Sequence, residues 1–403
     1  MGKSGLFRLV AGTLAVTLSA VLVAPPANAA PQQVHLPQPE GPHAPGTSLL
    51  HLVDEGRIDG LDPEGGPREL MAQVWYPALP LPWYERADYA SPKEAARQEE
   101  FYVLPDGALE GAVTNSRRDA PALPGNHPVV IFYHGLCASR TDTTAVNERL
   151  ASLGFVVVAL GSTHESDLVE FPGGRTVSTA DPTFCAAASD FSTENQAILN
   201  RLQEARVADV RFVLDGLEAG TLPLPSGVAR SADVDRAGIY GHSFGGSTAA
   251  QAMLEDPRLR AGVNLDGLVV GPVRTEGLDK PFLVLGSDYH DDKADPTWAD
   301  FLPALTGWHQ WLRVRDAGHY RFVDQGGSAD RWNMREVMPP EVWTANFDDI
   351  GDEPSQRILL DYTSAFFLRF LKGEEQPILD GPSARYPEVE FRTAAGEGPP
   401  PGR

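Results

Sequence analysis

A serine in the sequence has the neighbours that a catalytic nucleophile needs. Ser243 lies in residues 241–245 (GHSFG), between an apolar run at 237–240 and a second run at 246–254. These runs predict a strand and a helix. Glycines two residues before and after a serine in a strand–turn–helix setting are typical of a nucleophile elbow, which presents the hydroxyl above the edge of a sheet. We therefore predict Ser243 as a nucleophile; the alternative is a glycine-rich structural turn.

A serine nucleophile needs a general base, and the base needs an orienting acid. After an elbow of this type the acid precedes the histidine in the chain. His319 lies in residues 317–320 (AGHY), directly after a predicted strand, and we predict it as the base. His309 lies between two tryptophans and is the alternative. His290 follows one candidate acid, Asp288, too closely to serve.

Two aspartates are candidates for the orienting acid. Asp266 ends the predicted strand 261–265, and Asp288 follows the predicted strand 282–286. Both lie at the carboxyl end of a strand, where the active sites of parallel sheets are found. The sequence pattern therefore does not decide which aspartate is the acid. Further acids near Asp288 predict a solvated loop, with a calcium site as the alternative: Asp291, Asp292 and Asp295.

An oxyanion hole requires two backbone N–H groups directed at the developing negative charge. One is expected from the residue after the nucleophile, Phe244, and the other from the loop after an upstream central strand. Here the strand is 129–133 (VVIFY), and Leu136 is the predicted donor in the loop that follows. We interpret His134, in the same loop, as structural.

The N-terminal residues have the pattern of a cleaved secretory signal. Lys3 and Arg8 precede an uncharged apolar stretch at 9–23, and residues 27–29 (ANA) fit a cleavage site after Ala29. The apolar stretch is shorter than the roughly 20 residues of a membrane-spanning helix. An uncleaved anchor is the alternative. Export would permit a disulfide between the two cysteines, whose proximity the sequence leaves open: Cys137 and Cys185.

The remaining pattern predicts an α/β protein. Buried strands alternate with helices, which indicates a mostly parallel central sheet covered by helices on both faces, as in the α/β-hydrolase fold. Residues 77–125 are interpreted as an irregular insertion. The predicted segments of the chain are a signal peptide at 1–29, a flexible N-terminal segment at 30–48, a catalytic domain at 49–375 and a C-terminal tail at 376–403.

The amino-acid composition limits the classes of molecule that the protein is expected to bind. The chain has 33 Lys and Arg against 55 Asp and Glu, a formal net charge of −22, so nucleic acid and anionic lipid should be repelled. No cluster has metal-ligand spacing and no glycine-rich phosphate loop is present, so we expect neither a metal nor a cofactor. The expected partner is a small-molecule ester or phospholipid substrate, without stable membrane insertion; the oligomeric state stays open.

Five segments, in order, resemble the platelet-activating-factor acetylhydrolase family of serine esterases: 74–78 (VWYPA), 127–136 (HPVVIFYHGL), 241–246 (GHSFGG), 264–266 (NLD) and 318–322 (GHYRF). The resemblance implies that the acid follows the strand after the elbow helix, which favours Asp266 over Asp288. It also implies oxyanion donors at the amides of Leu136 and Phe244. Cys137 departs from the small residue expected there, and segments 78–126 and 323–355 do not match.

The resemblance implies a serine hydrolase that cleaves carboxylic esters with short or oxidised acyl chains on phospholipids, and the signal-like pattern at 1–29 predicts that it is secreted. A general carboxylesterase or lipase and a cutinase-like polyester hydrolase share the same motifs and remain alternatives. A protease, an acyltransferase and a non-catalytic binding protein of the same fold are further alternatives. Aromatic residues in the unmatched segments could form an interfacial patch or pack inside: Trp83, Tyr84, Trp332 and Trp343.

Overall fold

The computed structural model describes residues 33–188 and 192–393, so the predicted signal peptide lies outside the described residues. The strands are β1 (Ala44–Ile58), β2 (Pro67–Ala78), β3 (Arg117–Arg118), β4 (His127–Tyr133), β5 (Val156–Ser162), β6 (Leu168–Glu170), β7 (Thr176–Ser178), β8 (Ala232–His242), β9 (Leu259–Leu265), β10 (Phe282–Gly286), β11 (His309–Val314) and β12 (Val389–Arg392). The α-helices are α1 (Pro92–Tyr102), α2 (Thr144–Ser152), α3 (Thr183–Ala186), α4 (Thr193–Ala219), α5 (Val228–Ser231), α6 (Phe244–Glu255), α7 (Val273–Glu276), α8 (Pro296–Ala304), α9 (Met334–Val337), α10 (Pro340–Asn346) and α11 (Asp352–Lys372).

Ten of these strands form one sheet in the order β12-β11-β10-β9-β8-β4-β5-β2-β1-β3. The six strands from β11 to β5 run parallel to their neighbours. Antiparallel pairs occur towards the edges, where β5 meets β2, β2 meets β1, and β11 meets β12. The predicted mostly parallel sheet is confirmed. Because the central strands run in one direction, the turns after β4, β8, β9 and β11 open at the same edge.

The sheet is buried on both faces, which explains the unbroken apolar runs of its central strands. Along β4, Val129 and Ile131 pack in one cluster with residues of α4, α6 and α8. Val130 and Phe132 point to the opposite face and pack with residues of α2 and α11. Successive side chains of a strand alternate between faces, so each strand contributes to both clusters. The predicted cover of helices on both faces is therefore present.

Three segments differ from their sequence-based prediction. Residues 30–48 were predicted to be flexible, but Val34 and Leu36 are buried and β1 begins at Ala44. Antiparallel pairing with β2 holds β1, and this partner is not visible from the proline- and glycine-rich local sequence. The predicted tail from 376 contributes β12, which pairs with β11.

The predicted irregular insertion at 77–125 contains the helix α1. Ser91 caps it by accepting a hydrogen bond from the amide of Glu94 (3.3 Å), and Pro92 occupies the first helical position. Serine before a helix and proline at its first position are standard start signals, so the sequence did carry the information for this helix.

The aromatic residues of the unmatched segments do not share one surface. The side chains of Trp332 and Trp343 are 7% and 2% exposed and belong to the core, whereas Trp83 is 72% exposed. The packing alternative therefore holds for the two buried tryptophans. Among the described residues, no helix combines the length and the apolar character needed to cross a membrane.

Candidate active site

Ser243 occupies the turn between β8 and α6 in a backbone conformation that is rare for a residue with a side chain. Its φ is 55° and its ψ is −126°. A Cβ atom on Gly241 would lie 2.1 Å from the carbonyl carbon of Gly245, and one on Gly245 would lie 1.9 Å from the carbonyl oxygen of Tyr133. Both positions therefore require glycine, and the turn has the strained geometry of a nucleophile elbow.

Two further sequence-predicted residues meet beside this turn. His319 begins a short 3-10 helix after β11, and its Nδ1 donates a hydrogen bond to Asp266 Oδ2 (2.6 Å). Asp266 follows β9 directly. The amide of Ser243 donates to Leu265 O (2.8 Å), and the amide of Asp266 donates to Leu285 O (2.7 Å). Backbone hydrogen bonds between neighbouring strands thus hold the serine turn and the aspartate in register.

The two alternative residues lie elsewhere. The carboxylate of Asp288 accepts a hydrogen bond from Arg313, and its oxygen lies within 4.8 Å of those of Asp316 and Asp348. His309 is the first residue of β11, at the opposite end of that strand from His319. Neither alternative is therefore positioned to pair with the residues around Ser243.

The second oxygen of Asp266 has partners that the sequence analysis missed. Asp266 Oδ1 accepts hydrogen bonds from the amide of Ser287 (2.6 Å) and from His290 Nδ1 (3.1 Å). His290 Nε2 in turn donates to Asp295 Oδ2 (2.8 Å), and the imidazole stacks on Trp298 with 3.9 Å between ring centroids. The predicted solvated loop is therefore wrong for Asp295, which is buried and caps α8.

Neighbouring charges determine the protonation states of the buried side chains of Asp266 and His290. Burial alone would lower the pKa of His290, but Asp266 and Asp295 outweigh it and raise that pKa to about 10. Burial alone would raise the pKa of Asp266, but His290 and His319 outweigh it and bring that pKa well below its usual range. His290 is thus a cation between two carboxylates, and Asp266 is ionised.

Replacing His290 with glutamine should remove a pH-dependent part of the stability. A histidine whose pKa is raised by folding stabilises the protein fully below the unfolded pKa of about 6.5 and progressively less as the pH rises towards its folded pKa. Breaking a buried ion pair costs about 3–5 kcal/mol. In urea unfolding, we expect His290→Gln to cost about 3 kcal/mol at pH 6.5 and markedly less at pH 9.5. An equal cost at both pH values would contradict a charged His290.

The loop that carries His319 is held by two buried side chains. His242 Nε2 donates to the carbonyl oxygen of His319 (3.0 Å), and burial together with nearby His319 lowers the pKa of His242 to about 3, so its ring is neutral. Arg321 donates to the carbonyl oxygens of Phe347 (2.9 Å) and Asp348 (3.1 Å). His242 adjoins the elbow serine in sequence, and this position is the signal that could have identified it.

The two residues expected to supply the oxyanion hole belong to segments that adjoin the serine. Phe244 is the first residue of α6, and the first amides of a helix have no acceptor within that helix. Leu136 is half-buried in the loop after β4, next to Gly135. A Cβ atom on Gly135 would lie 3.2 Å from the Cβ of Ser243, so this loop closely approaches the serine.

A disulfide fixes the next residue of that loop. Cys137 is bonded to Cys185 of α3, with 5.3 Å between their Cα atoms. The bond joins the loop after β4 to a segment 48 residues further along the chain. Together these contacts place a strained serine, a histidine–aspartate pair and a closely packed loop at the carboxyl edge of the sheet.

Comparison with known proteins identifies the family. The model of the family described as platelet-activating factor acetylhydrolase, isoform II, matches residues 107–219 and 226–325, more than half of the chain. This chain belongs to the platelet-activating factor acetylhydrolase isoform II family. The matched residues include Leu136, Ser243, Asp266 and His319, so the family match covers the site described above.

The relatives and the solved structure that match this chain are esterases and acetylhydrolases. A probable 1-alkyl-2-acetylglycerophosphocholine esterase from Arthroderma benhamiae is 28% identical over 415 residues, covering 95% of this chain and 99% of that protein. The platelet-activating factor acetylhydrolase of Bos taurus is 30% identical over 220 residues, about half of each chain. A solved structure of a ferulic acid esterase from Streptomyces cinnamoneus has a TM-score of 0.75 and 35% identity, covering 89% of this chain and 99% of that chain. This protein is a carboxylic ester hydrolase with the α/β-hydrolase fold.

Proposed function

We propose that Ser243 is the nucleophile, His319 the general base and Asp266 the acid that orients it, with the amides of Leu136 and Phe244 as oxyanion donors. The observation that carries the proposal is the 2.6 Å hydrogen bond between His319 Nδ1 and Asp266 Oδ2 beside the strained turn of Ser243. The ionised carboxylate keeps the proton on Nδ1, which leaves Nε2 of the imidazole as the proton acceptor.

The reaction then follows from these roles. Ser243 Oγ attacks the ester carbonyl carbon while His319 Nε2 takes the hydroxyl proton, and the two amides stabilise the oxyanion that forms. His319 gives the proton to the departing alcohol, which leaves an acyl-serine. Water, deprotonated by the same imidazole, attacks the acyl-serine; His319 then returns that proton to Ser243 Oγ as the bond to the serine breaks and the carboxylic acid leaves. Asp266 stabilises the imidazolium in both halves.

The proposed substrates are esters of short or oxidised acyl chains, including 1-alkyl-2-acetylglycerophosphocholine. Support comes from the family and from the Arthroderma benhamiae relative, a probable 1-alkyl-2-acetylglycerophosphocholine esterase that this chain matches over nearly its full length. The proposed setting is extracellular, supported by the signal-like pattern at 1–29 and by a disulfide, a bond typical of exported proteins.

A second candidate is a general carboxylesterase that accepts aromatic acyl groups. The observation that favours it is the ferulic acid esterase, which has higher identity to this chain than the acetylhydrolases do and covers most of it. Lipase-like and cutinase-like activities, and binding without turnover, are less well supported because the comparisons above name acetylhydrolases and esterases.

A substrate panel separates these candidates. We would measure kcat/KM for p-nitrophenyl acetate, butyrate and octanoate, for methyl ferulate and for 1-alkyl-2-acetylglycerophosphocholine. The proposal predicts the highest kcat/KM on acetyl esters and at least about a tenfold decrease from acetate to octanoate, within the discrimination that a pocket achieves per added methylene group. Preference for methyl ferulate would establish the second candidate. A preference for octanoate would contradict both.

A further inference from the structure

Arg206 of α4 is a buried cation that contacts the loop after β4. Its Nη1 donates to the carbonyl oxygen of His134 (2.7 Å), and its Nη2 donates to that of Gly135 (3.1 Å). Its Nε donates to Glu165 Oε2 (2.9 Å), and both side chains of this ion pair are fully buried. The guanidinium therefore connects a carboxylate with two consecutive carbonyl groups of the loop.

The second of those carbonyls belongs to the peptide group that carries the Leu136 amide. A peptide group is planar, and in the trans form its C=O and N–H point in opposite directions. No described peptide bond in the chain is cis. Holding the Gly135 oxygen on the side of Arg206 therefore directs the Leu136 N–H to the opposite side. The positive charge of Arg206 next to the carbonyl oxygen also polarises the peptide group, which makes the Leu136 N–H a stronger hydrogen-bond donor.

A second side chain holds the same carbonyl. Burial and the charge of Arg206 lower the pKa of His134 well below its usual value, so this ring is neutral. Its Nε2 accepts a hydrogen bond from the amide of Ser162 (3.2 Å), which assigns the proton to Nδ1. His134 Nδ1 then donates to the oxygen of Gly135 (2.6 Å). The amide of Ala138 donates to the same oxygen (3.3 Å), so three groups hold the carbonyl and it has little freedom to rotate.

Arg206 also contacts the residue that supplies the other proposed donor. Its guanidinium carbon lies 4.7 Å from the ring centroid of Phe244 and 4.6 Å from that of Tyr133, the last residue of β4. A single side chain thus contacts both segments that form the proposed oxyanion hole. A buried ion pair contributes little net stability compared with apolar residues of similar volume, so its presence here suits a positioning role.

We infer that Arg206, held by Glu165, is a positioning residue that orients the Leu136 amide towards the oxyanion of the transition state. The inference rests on the proposed function, because it presupposes that Leu136 is an oxyanion donor. Arg206 acts through the peptide group between Gly135 and Leu136. Its loss should therefore weaken transition-state stabilisation and leave substrate binding nearly unchanged.

The test uses two variants and a matched control in the full chain. Arg206→Met/Glu165→Gln removes the cation without leaving an unpaired buried carboxylate, and Arg206→Lys keeps the charge but lacks the fork that reaches two carbonyls and a carboxylate. The control is Arg140→Met/Glu94→Gln, which alters another buried pair whose two guanidinium Nη atoms both donate to Glu94. All proteins are assayed on p-nitrophenyl acetate and with a trifluoromethyl ketone, whose adduct with a serine mimics the oxyanion.

The double variant should lower kcat by about 10²- to 10³-fold, the effect of losing one oxyanion donor, with KM within about threefold. The inhibition constant of the ketone should rise by a similar factor, and Arg206→Lys should change both quantities in the same direction. A purely structural role predicts lower stability with kcat and the inhibition constant close to those of the control, and this result would overturn the inference. If the double variant does not fold, Arg206→Lys decides.

Failure of the underlying proposal would give a different result. If Ser243 were wrongly assigned, the Ser243→Ala variant would still hydrolyse the ester and bind the ketone as tightly as the wild type does. If only the inference were wrong, the wild type would hydrolyse the ester and bind the ketone, and both Arg206 variants would match the Arg140/Glu94 control.

Discussion

Replacing Ser243 with alanine is expected to lower kcat on p-nitrophenyl acetate by about 10⁴- to 10⁶-fold, the range for removing the nucleophile of a Ser-His-Asp hydrolase. The large loss arises because the acyl-serine cannot form. Residual activity over water would come from binding and from the oxyanion donors. The change deletes one oxygen from a turn that the surrounding glycines already define, so the stability should change little.

The control for this substitution is Ser364→Ala in α11. Within the described residues no group hydrogen-bonds to Ser364 Oγ, which is buried, so removing it should leave kcat within about twofold. Labelling with a fluorophosphonate adds a direct readout: mass spectrometry should find the adduct on the peptide containing Ser243 in the wild type and no adduct there in Ser243→Ala. An adduct on another serine, with activity retained in the variant, would refute the assignment.

Replacing Asp266 with asparagine should lower kcat by about 10⁴-fold, as in other hydrolases where this acid becomes an amide. The amide NH₂ would face His319 Nδ1, which favours the tautomer with the proton on Nε2, so the ring could no longer accept the serine proton. The loss should be smaller at high pH, where other bases deprotonate the serine. The same substitution also removes the charge that faces His290.

Asp288→Asn is the matched control, because both aspartates follow neighbouring parallel strands. Asp288 pairs with Arg313 instead of His319, so its variant should retain kcat within about threefold and lose about 1 kcal/mol of stability at most, as expected for an ion pair that solvent partly reaches. The opposite ranking of the two variants would make Asp288 the acid. Equal and small effects would mean that His319 does not depend on either carboxylate.

The local features of the site could be predicted from the sequence. The elbow could be recognised in the sequence because its two glycines, its strand and its helix are contiguous along the chain. Gly241 avoids a clash with Gly245 within the turn, whereas Gly245 avoids a clash with Tyr133 of β4. The order of Ser243, a downstream aspartate and His319 follows from the order of strands in this kind of sheet. Apolar runs that lack alternation predicted the buried parallel strands because both of their faces are covered.

The choice between Asp266 and Asp288 could not be made from the local sequence. Both residues follow buried strands, and the local sequence contains nothing that reveals which carboxylate reaches His319. The resemblance to a family favoured Asp266, and the three-dimensional arrangement brings Asp266 to the histidine because β9 lies between β8 and β10 and so ends beside the elbow. Asp288 ends one strand further away and pairs with Arg313.

The burial of two charged side chains, Arg206 and His290, was also not predicted from the sequence. Arg206 lies in α4, and His290 lies among acids that predicted a solvated loop, yet both side chains are buried against charged partners from other segments of the chain. A buried charge is stable only with partners that neutralise it and satisfy its hydrogen bonds, and those partners come from other elements. The amino-acid pattern alone therefore predicted the fold class and a candidate nucleophile, because both predictions rest on residues that are neighbours in sequence. The pairing of Asp266 with His319 and His290, and of Arg206 with the loop after β4, required the tertiary structure, because long-range contacts alone bring those groups together.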